Sequence, residues 1–177
     1  MKRLPRSPSR TTAGFAFSIL NRAIKEGFAD RAFGKAEMQE VLAFFDTPEP
    51  ECVFCGSLEV ARWDHLFPIS RGGDTVLGNM VLACARCDDS KQHLDFEEWM
   101  LSDQRYSPNT RGVKNLDARI ARINEYEKAY SYEPMQIERR LNATEFNTMN
   151  SLQTRMAQLK DELEELIQDH RERTGKS

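Results

Sequence analysis

A chain of 177 residues, with 40% hydrophobic and 30% charged side chains, has room for one domain with its own core and the composition of a globular protein with exposed helices. Its net charge of −3 does not by itself suggest a polyanionic partner, and no apolar run is long enough to span a membrane. The apolar run AGFAFSIL that follows the basic start MKRLPRSPSR is short and soon interrupted by charge, unlike a signal peptide. The expectation is a cytoplasmic protein in a reducing compartment, where cysteines serve as metal ligands rather than disulfides.

Charge is unevenly distributed. Residues 1–31 carry seven basic side chains against two acids, while residues 161–172 carry six acids against Arg171 alone. A basic end of this kind can meet a polyanion, and a merely solvated tail has the same composition. In chain order, residues 1–10 read as an arm with two prolines and four basic residues. From Thr11 or Thr12 to about Glu26, Phe17, Leu20 and Ile24 recur at helical spacing behind a threonine cap. A second helix fits Lys35 to Phe45 and ends at the prolines of DTPEP. A turn-rich central segment follows, then a loop at SPNTRG (107–112) and an amphipathic helix carrying Leu116, Ile120, Ile123 and Tyr130.

The last segment reads as one long helix. Its residues Met149, Leu152, Met156, Leu159, Leu163 and Leu166 are spaced 3, 4, 3, 4 and 3 apart. This seam suits packing against the chain's own helices and pairing with a second copy equally well. The expected organisation is three consecutive parts: arm and N-terminal helices at 1–50, a central core at 51–103, and a helical region at 104–177 with a possible dimerisation helix. The fold class is α+β, mostly helical.

All four cysteines fall into two pairs, Cys52-x-x-Cys55 and Cys84-x-x-Cys87, with 28 residues between the inner members. Two such turns complete the tetrahedron that zinc prefers, against the alternatives of redox dithiols or chance. A site of four thiolates has no open position, so this zinc would be structural. Between the pairs, LEVARWDHLF (58–67) and MVLAC (80–84) read as strands, with turns at Gly72, Gly73 and Gly78. The stretch DDSKQHLDFEEWMLSD (88–103) reads as a helix, with Asp88 and Asp89 in its first turn. Strand, loop, strand and helix, pinned at both ends, can bring Asp64 and Asp88 to one divalent cation through oxygen ligands. His65 points to the opposite face of its strand from Asp64 and suits a general base at neutral pH. Asn79 can hold the loop backbone and orient His65.

The pattern Cys52-x-x-Cys55, Asp64-His65, Pro68, Ser70, Gly72-Gly73, Asn79, Cys84-x-x-Cys87 and Lys91 resembles the HNH nucleases of ββα-metal fold. The resemblance implies a ββα-metal core with structural Zn²⁺ cysteines, flanked by N-terminal helices and a long C-terminal helix. It implies His65 as general base, Asn79 as the structural asparagine of the site, and Asp64 and Asp88 as ligands of Mg²⁺ or Mn²⁺. Asp88 departs from the family, which usually has histidine or asparagine there. Arg71 and Lys91 are candidates for contacting phosphates, and a solvated surface position suits each of them equally well. The implied activity is hydrolysis of DNA to 5′-phosphate and 3′-hydroxyl ends, in a restriction-type or phage-defence enzyme that cuts double-stranded DNA as a homodimer. Alternatives are a nicking, homing or phage packaging nuclease, or a zinc-stabilised DNA-binding module whose catalysis has lapsed.

Overall fold

The computed structural model describes residues 11–175; the basic arm read at 1–10 lies outside them. The elements run α1 (Ala13–Gly27), β1 (Arg31–Ala32), α2 (Lys35–Phe45), β2 (Val60–His65), β3 (Thr75–Val76), β4 (Met80–Cys84), α3 (Ala85–Lys91), α4 (Phe96–Leu101), α5 (Leu116–Ala129) and α6 (Ala143–Thr174). The fold is α+β, with small sheets and a long C-terminal helix. Contacts divide the described residues into two compact units, Lys25–Arg140 and a unit that joins the segment ending at Ile24 with the segment starting at Leu141.

In the larger unit, β2 and β4 form an antiparallel hairpin with His65 opposite Met80 and Asp64 opposite Val81. The ladder is irregular between Val60 and Arg62, then regular to His65. Cys52, Phe54, Leu66, Val81, Ala83 and Trp99 are buried with Val41 of α2 and Ile120, Ile123 and Tyr126 of α5. Phe54 meets Trp99 edge-on at 5.3 Å between ring centroids, and the Tyr126 hydroxyl donates to the Met80 carbonyl at 2.9 Å. Burying each such large side chain contributes about 1.5–3 kcal/mol. Arg31–Ala32 pair in parallel with Thr75–Val76, a two-residue ladder too short to leave a periodic signature.

The single helix expected over 88–103 is two helices. α3 begins at Ala85, before the second cysteine of its pair, and ends where Gln92 takes the left-handed φ of 53°. α4 starts afresh behind Asp95, whose carboxylate accepts from the Glu97 amide at 3.0 Å. Lys91 near the end of α3 and Trp99 within α4 both face inward.

In the smaller unit, Thr12 caps α1 through its hydroxyl, which accepts from the Phe15 amide at 3.1 Å. Asn142 and Glu145 form a reciprocal capping box at the start of the 32-residue α6. Of the expected seam, Met149 is buried and Met156 half-buried, while Leu152, Leu159, Leu163 and Leu166 are exposed.

Candidate functional site

The four Sγ atoms of Cys52, Cys55, Cys84 and Cys87 all lie within 4.8 Å of one another. Cys55 and Cys84 are 3.8 Å apart. A tetrahedral zinc at about 2.3 Å from each sulfur requires sulfur separations of about 3.8 Å, so the cluster fits Zn²⁺. The first turn is closed by the Gly56 amide on the Cys52 carbonyl at 2.7 Å. Gly56 has φ +75°, a backbone conformation that favours glycine. The Val53 amide donates to the Leu82 carbonyl at 3.0 Å, tying this turn to β4. The second pair straddles the junction of β4 and α3. Hydrogen bonding among the thiols pushes Cys52 up to about 12 and Cys87 higher still, and holds Cys55 down. Four sulfurs this close cannot all ionise without a cation among them. Arg111 brings its guanidinium to the cluster, with Nη2 3.0 Å from Cys87 Sγ.

At the end of β2, Asp64 and His65 turn to opposite faces. The Asp64 carboxylate is buried on the side of α3, and its Oδ1 accepts from the His65 amide at 2.8 Å. Its Oδ2 is buried without a hydrogen-bond partner; Lys91 Nζ stands 3.6 Å away, too far to supply one. Burial pushes the Asp64 carboxyl up to about 6, against the pull of Lys91 and with a further push from the charge of Asp88. Burial likewise lowers Lys91, against the charges of Asp64 and Asp95. The His65 ring reaches across to β3, with Nε2 3.0 Å from Thr75 Oγ1.

The loop between the strands hangs on Asn79, which is wholly buried. Its Oδ1 accepts from the Phe67 amide at 2.7 Å, and its Nδ2 donates to the Phe67 and Asp74 carbonyls at 3.1 and 2.7 Å. Gly73 is required inside this clamp, since a Cβ there would lie 2.1 Å from the Phe67 carbonyl oxygen. Outside the clamp, Asp74 Oδ1 receives Arg140 Nη1 and the Asp30 amide, each at 2.7 Å. Arg71 is exposed, with its guanidinium over the Phe67 ring at 5.0 Å.

Two side chains stand differently from expectation. Lys91, expected to meet phosphate, is fully buried and donates to the His65 carbonyl at 2.6 Å. α3 lies across β2, so the helical turn that carries Asp88 to the rim carries Lys91 into the interior. Asp88 stands at the rim, but its Oδ2 is engaged by Arg62 Nη1 at 2.5 Å, and the same nitrogen reaches Asp89 Oδ1 at 2.5 Å. Sequence reasoning passed over Thr75, Arg62 and Arg111. Only Arg62 left a signal, two residues before Asp64 and therefore on the same strand face.

The residues are therefore of two kinds: soft thiolates that suit zinc, and hard carboxylate oxygens of Asp64 and Asp88 that suit Mg²⁺ or Mn²⁺. The orphaned Asp64 Oδ2 is the observation that fits a second, catalytic cation. Residues 52–94 match the family model described as HNH endonuclease. No curated protein and no solved structure matches the chain. The family match spans all four cysteines together with Asp64, His65, Asn79, Asp88 and Lys91, and it points to a nuclease.

Proposed function

We propose that this chain is a metal-dependent DNA endonuclease of HNH type, hydrolysing phosphodiesters to 5′-phosphate and 3′-hydroxyl ends. The observation that carries the reading is the pairing of Asp64 and His65 at one strand end. One presents a buried carboxylate oxygen without a donor, and the other an imidazole whose backbone and ring each have a partner. The Lys91 ammonium holds the His65 carbonyl, and Thr75 meets the ring.

Asp64 and Asp88 would hold Mg²⁺ or Mn²⁺, which supplies positive charge for the pentavalent phosphorus and the departing 3′ oxygen. His65 takes a proton from the attacking water, and the imidazole stores it. Asn79 keeps the loop from Phe67 to Asp74 closed beneath the ring, so the imidazole need not reorganise as charge develops. Arg71, exposed and stacked on Phe67, meets a neighbouring phosphate of the duplex. The zinc cluster does no chemistry; it joins the start of the domain to the junction of β4 and α3.

A double-strand cut needs two such sites, and exposed Leu152, Leu159, Leu163 and Leu166 on α6 support pairing of two copies. That favours a restriction-type or phage-defence enzyme acting as a dimer in the cytoplasm, over a nicking, homing or packaging nuclease. A second reading has its own observation: Asp88 is occupied by Arg62, as in a binding module whose catalysis has lapsed. Supercoiled plasmid incubated with Mg²⁺ or Mn²⁺ decides between them. Discrete linear fragments, lost in His65→Ala and with chelator, support the paired nuclease. Nicked circles alone support one active site per encounter. Retarded but uncut plasmid under every metal condition refutes catalysis.

A further inference from the structure

Arg62 is the one arginine of β2, and its position serves no core. Its side chain is 42% exposed, and it spends one nitrogen on two carboxylates, those of Asp88 and Asp89. The ladder is regular from Arg62 to His65, so Arg62 and Asp64 project from the same strand face. That face looks toward the start of α3, where Asp88 lies close enough for its charge to act on the Asp64 carboxyl. Three carboxylates and one arginine thus surround the space between strand and helix, with the Lys91 ammonium buried beneath. A polyanionic substrate cannot approach three carboxylates unless cations intervene. A cation that takes Asp88 also takes from Arg62 one of its two partners.

We propose that Arg62 is a substrate-binding residue of this site: it competes with a divalent cation for Asp88 and, displaced, turns to a phosphate of the bound duplex. The inference rests on the nuclease reading above for the identity of the substrate. Displacement is easy because the ion pair is exposed. The arginine is 42% and Asp88 29% exposed, and pairs this open to solvent contribute little to stability. Once Asp88 is given up, the guanidinium is anchored on one side only, beside the cation, where the phosphate that the cation draws in must pass. Its planar fork suits two phosphate oxygens at once. The order is then fixed by charge. Without cation, Arg62 neutralises the rim and the site attracts little; with cation, the same arginine adds to the attraction. Metal binding and duplex binding become mutually reinforcing.

The test uses the full-length, zinc-loaded protein carrying His65→Ala, so that duplex stays intact, and compares it with the same protein carrying Arg62→Gln or Arg62→Lys in addition. Mn²⁺ affinity is read from the free-Mn²⁺ signal in electron paramagnetic resonance. Affinity for a short duplex is read by fluorescence anisotropy across a salt series, with and without Mn²⁺. Arg62→Gln is expected to tighten Mn²⁺ binding about threefold or more. It should also weaken duplex binding in the presence of Mn²⁺ and lower the salt slope by about one, the value of a single phosphate contact. Arg62→Lys, which keeps the charge, should retain most of that slope. Unchanged or weaker Mn²⁺ binding in Arg62→Gln, with an unchanged slope, overturns the proposal and leaves Arg62 as a tie between β2 and α3; a lowered melting temperature would then accompany it. Absence of Mn²⁺ binding in all three proteins overturns it as well. Failure of the nuclease reading shows elsewhere, as uncut plasmid with the wild-type chain while the Mn²⁺ competition at Arg62 persists.

Discussion

Asp64→Asn should make the protein more stable in the absence of divalent cation, and by an amount that depends on pH. The Asp64 side chain is 11% exposed, and burial lifts its carboxyl from 3.8 to about 6. A carboxyl raised on folding binds its proton more tightly in the native state, so its contribution is neutral when both states are protonated and becomes a penalty as pH rises. The penalty begins near 3.8, is complete above about 6, and amounts to (6 − 3.8) × 1.36, or about 3 kcal/mol. Integrated over the titration, about half of it has accrued by pH 5. Asparagine has the shape of the protonated acid and never pays this cost, while Lys91, Asp88 and His65 remain around it. Urea denaturation in magnesium-free buffer should therefore show Asp64→Asn more stable by about 3 kcal/mol at pH 7.5 and by about half that at pH 5. Adding Mn²⁺ should stabilise the wild type more than the variant, which has lost one of the two carboxylates that would hold the ion. A variant that is less stable than wild type at pH 7.5, or a difference that does not narrow toward pH 5, would refute the account of Asp64 as a destabilising group kept for an ion.

Three further outcomes follow from the same structure. Asn79→Ala removes three hydrogen bonds from a fully buried site and strands the Phe67 and Asp74 backbone groups, at a cost of about 2–4 kcal/mol in denaturant titration. Plasmid hydrolysis should fall with it even where the variant remains folded. Cys87→Ser should lower bound zinc and melt the domain core, read by zinc content and circular dichroism; Arg111→Ala, which deprives the Cys87 sulfur of a 3.0 Å cationic contact, should keep zinc but release it faster to a colorimetric chelator. Glu127, raised to about 7 by burial and by the charges of Asp95 and Glu97, contributes a penalty that grows above its ordinary value of 4.5. The melting temperature of Glu127→Gln should therefore exceed wild type at pH 8 and converge with it toward pH 5.

What the sequence made legible was whatever repeats or clusters. The helical spacing in α2 and α5 was readable because each turns apolar side chains inward, Val41 from one and Ile120, Ile123 and Tyr126 from the other; α1 and α6 show the same spacing although α1 buries none of its residues and α6 only Met149. The two cysteine pairs were readable because zinc geometry demands them in that form. The break between α3 and α4 had a signal that went unused: Asp95 followed by Glu97 and Glu98 is an N-cap before an acidic first turn. β1 and β3 left none, being two residues long. The burial of Lys91 was hidden for a different reason. Its position one turn beyond Asp88 is visible, but which side of α3 faces β2 is decided by the crossing of two elements and is not written in either.

Arg111, Tyr126 and Arg140 lie beyond the segment that matches the family, yet they reach a zinc thiol, the Met80 carbonyl and the Asp74 carboxylate respectively. The hairpin itself is small, and it carries two buried charges, Asp64 and Lys91, that folding alone disfavours. Such a segment tolerates them with help from outside: a four-cysteine cluster at one end that fits zinc, and α2 and α5 supplying Val41, Ile120 and Ile123 to the core. The helices that surround the matched segment are thus part of the reason the site can exist. Their residues carry no chemistry, so nothing in their sequence announces it; they supply the stability that lets a carboxylate oxygen without a hydrogen-bond donor stay buried at the end of β2.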